Sequence, residues 1–86
     1  MNVILNCKNL TRREQAHQYL AHMLDFPDHY GKNLDALFDC LTELGDCTVV
    51  LDGGTDLPQS GGYGAKVLKV LEEAAHANPR LRLELQ

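Results

Sequence analysis

Carboxylate side chains recur at every fourth position in the middle of the chain. Asp35, Asp39 and Glu43 would line one exposed stripe of a helix, with Thr42 inside the stripe and Phe38 at its flank. No lysine or arginine lies among them, although like charges at this spacing destabilise a helix by about 0.2–0.5 kcal/mol per pair. The row therefore indicates a surface that binds cations. A solvated acidic face without a partner is the alternative interpretation.

The acidic character extends beyond this row. Eight acidic residues and one base, Lys32, lie between Asp25 and Asp56 and give that segment a net charge of −7, in a chain of 86 residues with a formal net charge of −4. Such a centre disfavours a nucleic-acid backbone and favours a basic protein or a metal ion as partner. Because no nucleophile and no third metal ligand accompanies the carboxylates, we predict no catalysis, no metal site and no cofactor.

The elements that must position the row follow from periodicity and from residues that start or stop helices. A capping box at 11–14 predicts the start of the first helix, which ends near Pro27; Asn33 predicts the start of the second, which ends at Gly45. The predicted strands are 3–7, 47–51 and 80–85, and the last helix is predicted at about 64–77.

The order strand, two helices, strand, helix, strand predicts parallel strands joined by right-handed crossovers. Each strand has one apolar face, most clearly where Leu81, Leu83 and Leu85 alternate with charged residues. We therefore expect an α/β fold of two layers, with a three-stranded parallel sheet in the order 1-2-3 and all helices on one face. The length predicts a single domain, residues 1–86.

Cysteine usage and hydropathy bear on the cellular compartment. Cys7, Cys40 and Cys47 are an odd number and lack the spacing of a zinc or redox motif, so three free thiols are predicted. No signal-peptide pattern and no apolar run of membrane-spanning length is found. These features favour a cytoplasmic protein.

The glycine-rich segment from Gly53 to Gly64 precedes the last helix, and a helix N-terminus can bind phosphate. It lacks the third glycine of a dinucleotide-binding fingerprint and the Gly-Lys-Ser/Thr of a P-loop. An ordinary loop is favoured, and a small phosphate- or nucleotide-binding protein remains the weaker alternative. Surface positions are expected for His17, His22 and His76, whereas His29 lies beside the acidic helix.

The segment Tyr30-Gly31-Lys32-Asn33-Leu34-Asp35-Ala36-Leu37-Phe38-Asp39-Cys40-Leu41 resembles the central motif of the barstar family of intracellular ribonuclease inhibitors, Tyr-Gly-x-Asn-Leu-Asp-Ala-Leu-aromatic-Asp-x-Leu. The resemblance covers the whole chain in length and element order. It implies a barstar-like fold and stoichiometric inhibition of a basic secreted ribonuclease, whose active site is plugged by the second helix and the preceding loop.

The resemblance also implies roles for individual residues. Asp39 matches a carboxylate that takes a substrate-phosphate position, Asp35 one that meets basic residues at the rim, and Glu73 an acidic contact on the last helix. The expected partner-binding residues are His29, Tyr30, Gly31, Asn33, Asp35, Phe38, Asp39, Thr42, Glu43 and Glu73.

Departures from the family pattern concern the edge of this surface. His29 replaces a tyrosine, Phe38 a tryptophan, and Glu43 and Leu44 a glycine and a tryptophan. The target could therefore differ, and an immunity protein for another nuclease toxin is the main alternative. The free protein is expected to be a monomer, without direct binding to nucleic acid or membrane.

Overall fold

The computed structural model describes residues 1–57 and 62–86, and its strands and helices follow the predicted order. Short 3-10 turns at Cys7–Leu10 and Gly54–Asp56 follow the first two strands. The main elements are β1 (Asn2–Asn6), α1 (Arg13–Met23), α2 (Leu34–Thr42), β2 (Cys47–Asp52), α3 (Gly62–Ala77) and β3 (Leu81–Leu85). Among the described residues, no helix combines the length and the apolar character needed to cross a bilayer.

The sheet is parallel throughout, with strand order β1-β2-β3. Val3 lies opposite Val49, and Val49 lies opposite Leu83. Odd-numbered side chains point to the core, where Val49 is fully buried, whereas Ile4 on the other face is 65% exposed. This alternation leaves one sheet face open and places the helices on the other, which confirms the predicted two-layer α/β fold.

Leucines from every layer form the core between sheet and helices. Leu20 of α1, Leu37 and Leu41 of α2, and Leu71 of α3 are all fully buried, and α2 packs directly against α3. Because the leucines of α2 occupy one side of the helix, the stripe of carboxylates on its other side faces solvent.

The predicted capping box does not form. Helix α1 begins at Arg13, and the residue before it, Arg12, makes no side-chain hydrogen bond to the helix. The hydroxyl of Thr11 instead donates to the carbonyl oxygen of Lys8, 3.5 Å away, at the end of the first 3-10 turn. Thr11 therefore closes the turn rather than opening the helix, because its backbone is already in a helical conformation.

The surface position expected for His17 is wrong. Its side chain is fully buried, and its ring nitrogens lie 2.6 Å from the hydroxyl of Tyr30 (Nδ1) and 2.5 Å from that of Tyr63 (Nε2). A neutral imidazole has one donor and one acceptor, so one tyrosine donates to the ring and the other accepts from it. Both polar atoms are satisfied, which makes this burial possible.

Candidate functional site: an acidic groove between two helices

The start of α2 is fixed by Asn33 and the loop before it. The Oδ1 atom of Asn33 accepts a hydrogen bond from the Ala36 N–H (2.7 Å), and its Nδ2 donates to the Gly31 carbonyl (3.3 Å). Lys32 has a left-handed backbone, with φ of 54°, which turns the chain sharply into the helix. A Cβ on Gly31 would lie 3.3 Å from that of Ala36, so only a small residue fits this approach comfortably.

Tyr30 holds the same loop from inside. Its ring lies 4.9 Å from that of Phe26, its hydroxyl bonds to His17, and its side chain is only 7% exposed. Desolvation by burial raises the pKa of Tyr30 above its ordinary value. A residue expected to touch the partner is thus mostly enclosed, while its neighbour His29 is exposed.

The other end of α2 is held by Asn78, which follows α3. Its side-chain Nδ2 donates to the carbonyls of Leu41 (3.0 Å) and Leu44 (3.1 Å), and its Oδ1 accepts from the Arg80 N–H (3.0 Å). A buried amide therefore donates to two carbonyls at the end of the helix, one of which, that of Leu41, also accepts from the Leu44 N–H at 3.3 Å. Sequence reasoning assigned Asn78 only to the end of α3 and missed this contact, because its partners are distant in the chain.

A groove of about 350 Å³ lies where α2 packs against α3. Asp35 and Asp39 of α2 and Glu73 of α3 are all exposed, whereas Phe38 between them is half-buried. The groove therefore carries carboxylates from two helices around an apolar floor. Its lining residues are Leu34, Asp35, Phe38, Asp39, Val70 and Glu73.

The structure thus brings four of the expected partner-binding residues together: Asp35, Phe38, Asp39 and Glu73. The others lie towards the ends of α2 and do not line the groove. His29, Tyr30, Gly31 and Asn33 precede the helix. Thr42 and Glu43 follow Asp39, and the Thr42 hydroxyl donates to the carbonyl of Asp39 (2.9 Å).

The floor of the groove includes two residues that sequence reasoning assigned only to the core side of their helices. Leu34 and Val70 are half-buried and reach the groove from α2 and α3. Val70 and Glu73 are three positions apart on one helix, which is the spacing of neighbours on a helical surface. The sequence showed that Val70 and Glu73 share one side of their helix. Only the packing of α2 on α3 shows that this side lines the groove.

Among the described residues, no lysine or arginine forms an ion pair with the groove carboxylates. In residues 1–57 and 62–86 the ion pair that forms joins Arg80 to Asp46 at 3.3 Å, away from the groove. The pKa of the Cys40 thiol is raised, first by burial and then by the negative charges of Glu43 and Asp39. No cluster of three His, Cys, Asp or Glu side chains that could hold a metal ion occurs in the described part.

The glycine-rich segment that supported the alternative phosphate site lies partly outside the described residues, which omit 58–61. In its described part, Gly53 has a left-handed φ of 87° and leads into the second 3-10 turn. Gly62 begins α3 with a φ of 67°. These conformations account for the glycines as turn residues.

Comparison with known proteins gives these features a family. The family described as "Barstar (barnase inhibitor)" matches residues 1–86. The chain belongs to the barstar family. It is also 42% identical, over 78 residues, to the Bacillus subtilis (strain 168) protein named "Putative ribonuclease inhibitor YrdF", with 84% of this chain and 82% of that protein covered. This family assignment agrees with the motif around Asp35 and Asp39 and with the order of strands in the sheet.

Proposed function

We propose that this barstar-family chain is a stoichiometric inhibitor of a basic secreted ribonuclease, and that α2 and its preceding loop plug the nuclease active site. The observation that carries the proposal is the acidic groove, in which Asp35, Asp39 and Glu73 surround Phe38 and form no ion pair with any described base. The family description and the name of the Bacillus relative support the same class of partner.

The chemistry of the groove suits such a target. A ribonuclease must hold cationic side chains where the substrate phosphate lies, and an arginine binds a carboxylate through two parallel hydrogen bonds as it binds phosphate. Asp39 is mid-helix and lines the groove, and it matches the family carboxylate that takes a substrate-phosphate position, so we assign it that role. Asp35 and Glu73 would meet cations at the rim, and Phe38 would pack in the desolvated centre.

The remaining residues have supporting or peripheral roles in this proposal. Asn33, Gly31 and Tyr30 fix where α2 begins, and Tyr30 acts mainly from inside the fold. His29, Thr42 and Glu43 would extend the contact beyond the groove. We infer that the chain acts by occlusion rather than catalysis and that it works in the cytoplasm, where its three cysteines stay unpaired.

The test is a titration of small basic ribonucleases, barnase among them, with the full chain. We expect RNA cleavage to fall to zero at one inhibitor per enzyme. Asp39→Ala should weaken the complex by more than about a hundredfold, because unpaired desolvated charges cost about 3–5 kcal/mol and 1.4 kcal/mol is a factor of ten. Glu72→Ala is the matched control, since Glu72 is an exposed neighbour of Glu73 that does not line the groove.

Folding must be measured beside inhibition. Asp39→Ala removes a like-charge repulsion and introduces a better helix former, so its free energy of unfolding should stay level or rise slightly. If Asp39→Ala inhibits as well as the parent chain, α2 is not the plug. If no ribonuclease is inhibited but a DNA-cutting nuclease is, the chain is an immunity protein for another toxin, and the ribonuclease assignment is wrong.

A further inference from the structure

The outer edge of β3 offers a second, independent surface. Its main-chain groups divide between two directions, because alternate residues of a strand in a parallel sheet bond to the same neighbour. Gln86 donates its N–H to Leu51 and accepts from Gly53, both at 3.0 Å, and the Arg80 carbonyl accepts from Cys47. Even-numbered residues of β3 therefore bond to β2, which turns the N–H and C=O groups of Leu81, Leu83 and Leu85 outward.

This outer edge is mostly open. Leu81 already donates its N–H to the Asn78 carbonyl (3.0 Å), but no hydrogen bond among the described residues covers the outward groups of Leu83 and Leu85. The opposite edge of the sheet is different, since the Tyr19 hydroxyl accepts from the N–H of Asn6 on β1. Leu85 is also 38% exposed and is one of the few large apolar side chains at the surface.

The sequence of β3 is complementary to itself when two copies run antiparallel. With Leu83 opposite Leu83 of the second copy, Arg82 lies opposite Glu84 and Glu84 opposite Arg82. In the same register Leu81 lies opposite Leu85, which covers the exposed leucine. Opposite charges facing each other across two strands stabilise a sheet, whereas like charges destabilise it.

The backbone permits the same register. Leu83 has both main-chain groups outward, so two copies can exchange both N–H···O bonds there, as an antiparallel hydrogen-bonded pair requires. Leu85 can then donate to the Leu81 carbonyl of the other copy, and the Leu81 N–H, which is already used, is not needed. A register shifted by one residue would place Leu83 opposite Arg82 or Glu84, whose main-chain groups face β2 and cannot bond across the edge. A register shifted by two residues would place Arg82 opposite Arg82 or Glu84 opposite Glu84, and these like charges disfavour it.

We propose that this chain forms a two-fold symmetric homodimer through β3, which joins two three-stranded sheets into one of six strands. The five-residue strand is only about 17 Å long. A contact along its edge is therefore small compared with the buried area of a standard protein interface. The dimer is therefore weak, and it forms at high protein concentration. The expected monomer would then be the form at low concentration, and the dimer contact does not involve the groove between α2 and α3.

The test is sedimentation velocity of the full chain over a wide concentration range. We expect a shift from monomer to dimer that Arg82→Glu and Glu84→Arg each abolish, because each variant places like charges opposite each other twice. An equimolar mixture of the two variants should form a heterodimer, since every facing pair is then opposite in charge. The double variant Arg82→Glu/Glu84→Arg should restore the homodimer.

Two controls keep the outcome clear. Circular dichroism should show that the variants remain folded, as expected for exposed side chains. Ile4→Ser tests the open sheet face as a rival interface and should leave the dimer unchanged. The proposal is overturned if the parent chain stays monomeric at every concentration, if the mixed variants do not associate, or if Ile4→Ser alone abolishes the dimer.

Discussion

Asn78 should be among the most destabilising positions to alter, although it does not line the groove. It is 6% exposed, and its side chain makes three hydrogen bonds of 3.0–3.1 Å that join the end of α2 to the start of β3. Asn78→Ala removes all three, each worth about 1 kcal/mol net. The free energy of unfolding should therefore fall by about 3 kcal/mol.

This loss is large for a domain of this size. Small domains are stable by only about 5–15 kcal/mol, and about 3 kcal/mol corresponds to about 12–24 °C in Tm for 60–100 residues. Urea unfolding followed by circular dichroism gives the free energy, and a thermal scan gives the Tm. A loss below about 1 kcal/mol would show that water replaces the amide and that Asn78 does not hold α2.

Asn78→Asp tests the donors separately, because it keeps the acceptor for the Arg80 N–H. The carboxylate would face two carbonyls at the negative end of a helix, so its folded-state pKa should lie above the ordinary value of about 3.9. Between these two pKa values the folded state binds more protons than the unfolded state. Stability should thus be lowest at neutral pH and should increase as the pH falls through the raised pKa.

Asn2→Asp is the matched control, since Asn2 is exposed on the open face of the sheet. It introduces the same charge and should show no such recovery of stability at low pH. If both aspartate variants respond to pH alike, the effect comes from net charge and not from the two carbonyls. Inhibition by Asn78→Asp, measured where the variant is folded, should remain close to that of the parent chain.

Three further predictions concern titration, thiols and association. Burial, together with the charge of Arg13, lowers the pKa of His17, so the free energy of unfolding should fall as the pH drops below about 6.5. His17→Gln cannot titrate and should give urea midpoints that vary less over that range; equal slopes would contradict the argument. Burial raises the pKa of Cys7 and Cys47, so thiol reagents should react slowly with these cysteines in the native chain. After unfolding without reductant, the reagent should detect three thiols, whereas a count of one would mean a disulfide. The association rate with the nuclease should fall as salt rises, because screening beyond about 8 Å at physiological ionic strength weakens steering by the acidic segment; a rate that is insensitive to salt would count against this surface.

The parts of the fold that the sequence predicted are those set by local periodicity. Alternation in β3 gave the face of the sheet that is buried, and the leucine spacing of α2 gave the side that carries Asp35 and Asp39. The structure confirms both patterns. Such a pattern identifies the buried side of a strand or helix without requiring knowledge of which elements pack against that side. A two-layer arrangement then followed, since a strand with one wet face needs helices only on the other.

Contacts between distant residues were not predictable in the same way. At about 100° per residue, His17 lies just beyond the edge of the arc that Ala16, Leu20 and Leu24 span, so its burial had only a weak signal. What makes that burial tolerable is a pair of hydroxyls 13 and 46 residues away in the chain. The sequence cannot show that such partners are present, so a polar residue at the edge of that arc was predicted to lie at the surface.

The same reasoning explains how α2 can carry its acidic row. A helix of nine residues is too short to be stable alone, and the repulsion between Asp35 and Asp39 weakens it further. The helix is held by contacts outside the row: the cap from Asn33, the amide of Asn78, and the leucines on its buried side. Because stability comes from these contacts, the exposed side is free to keep carboxylates that are unfavourable in the free protein and complementary to a cationic site. Substitutions at Asn33, at Asn78 or at the buried leucines of α2 should therefore change stability with little effect on inhibition. Substitutions in the acidic row should change inhibition with little effect on stability.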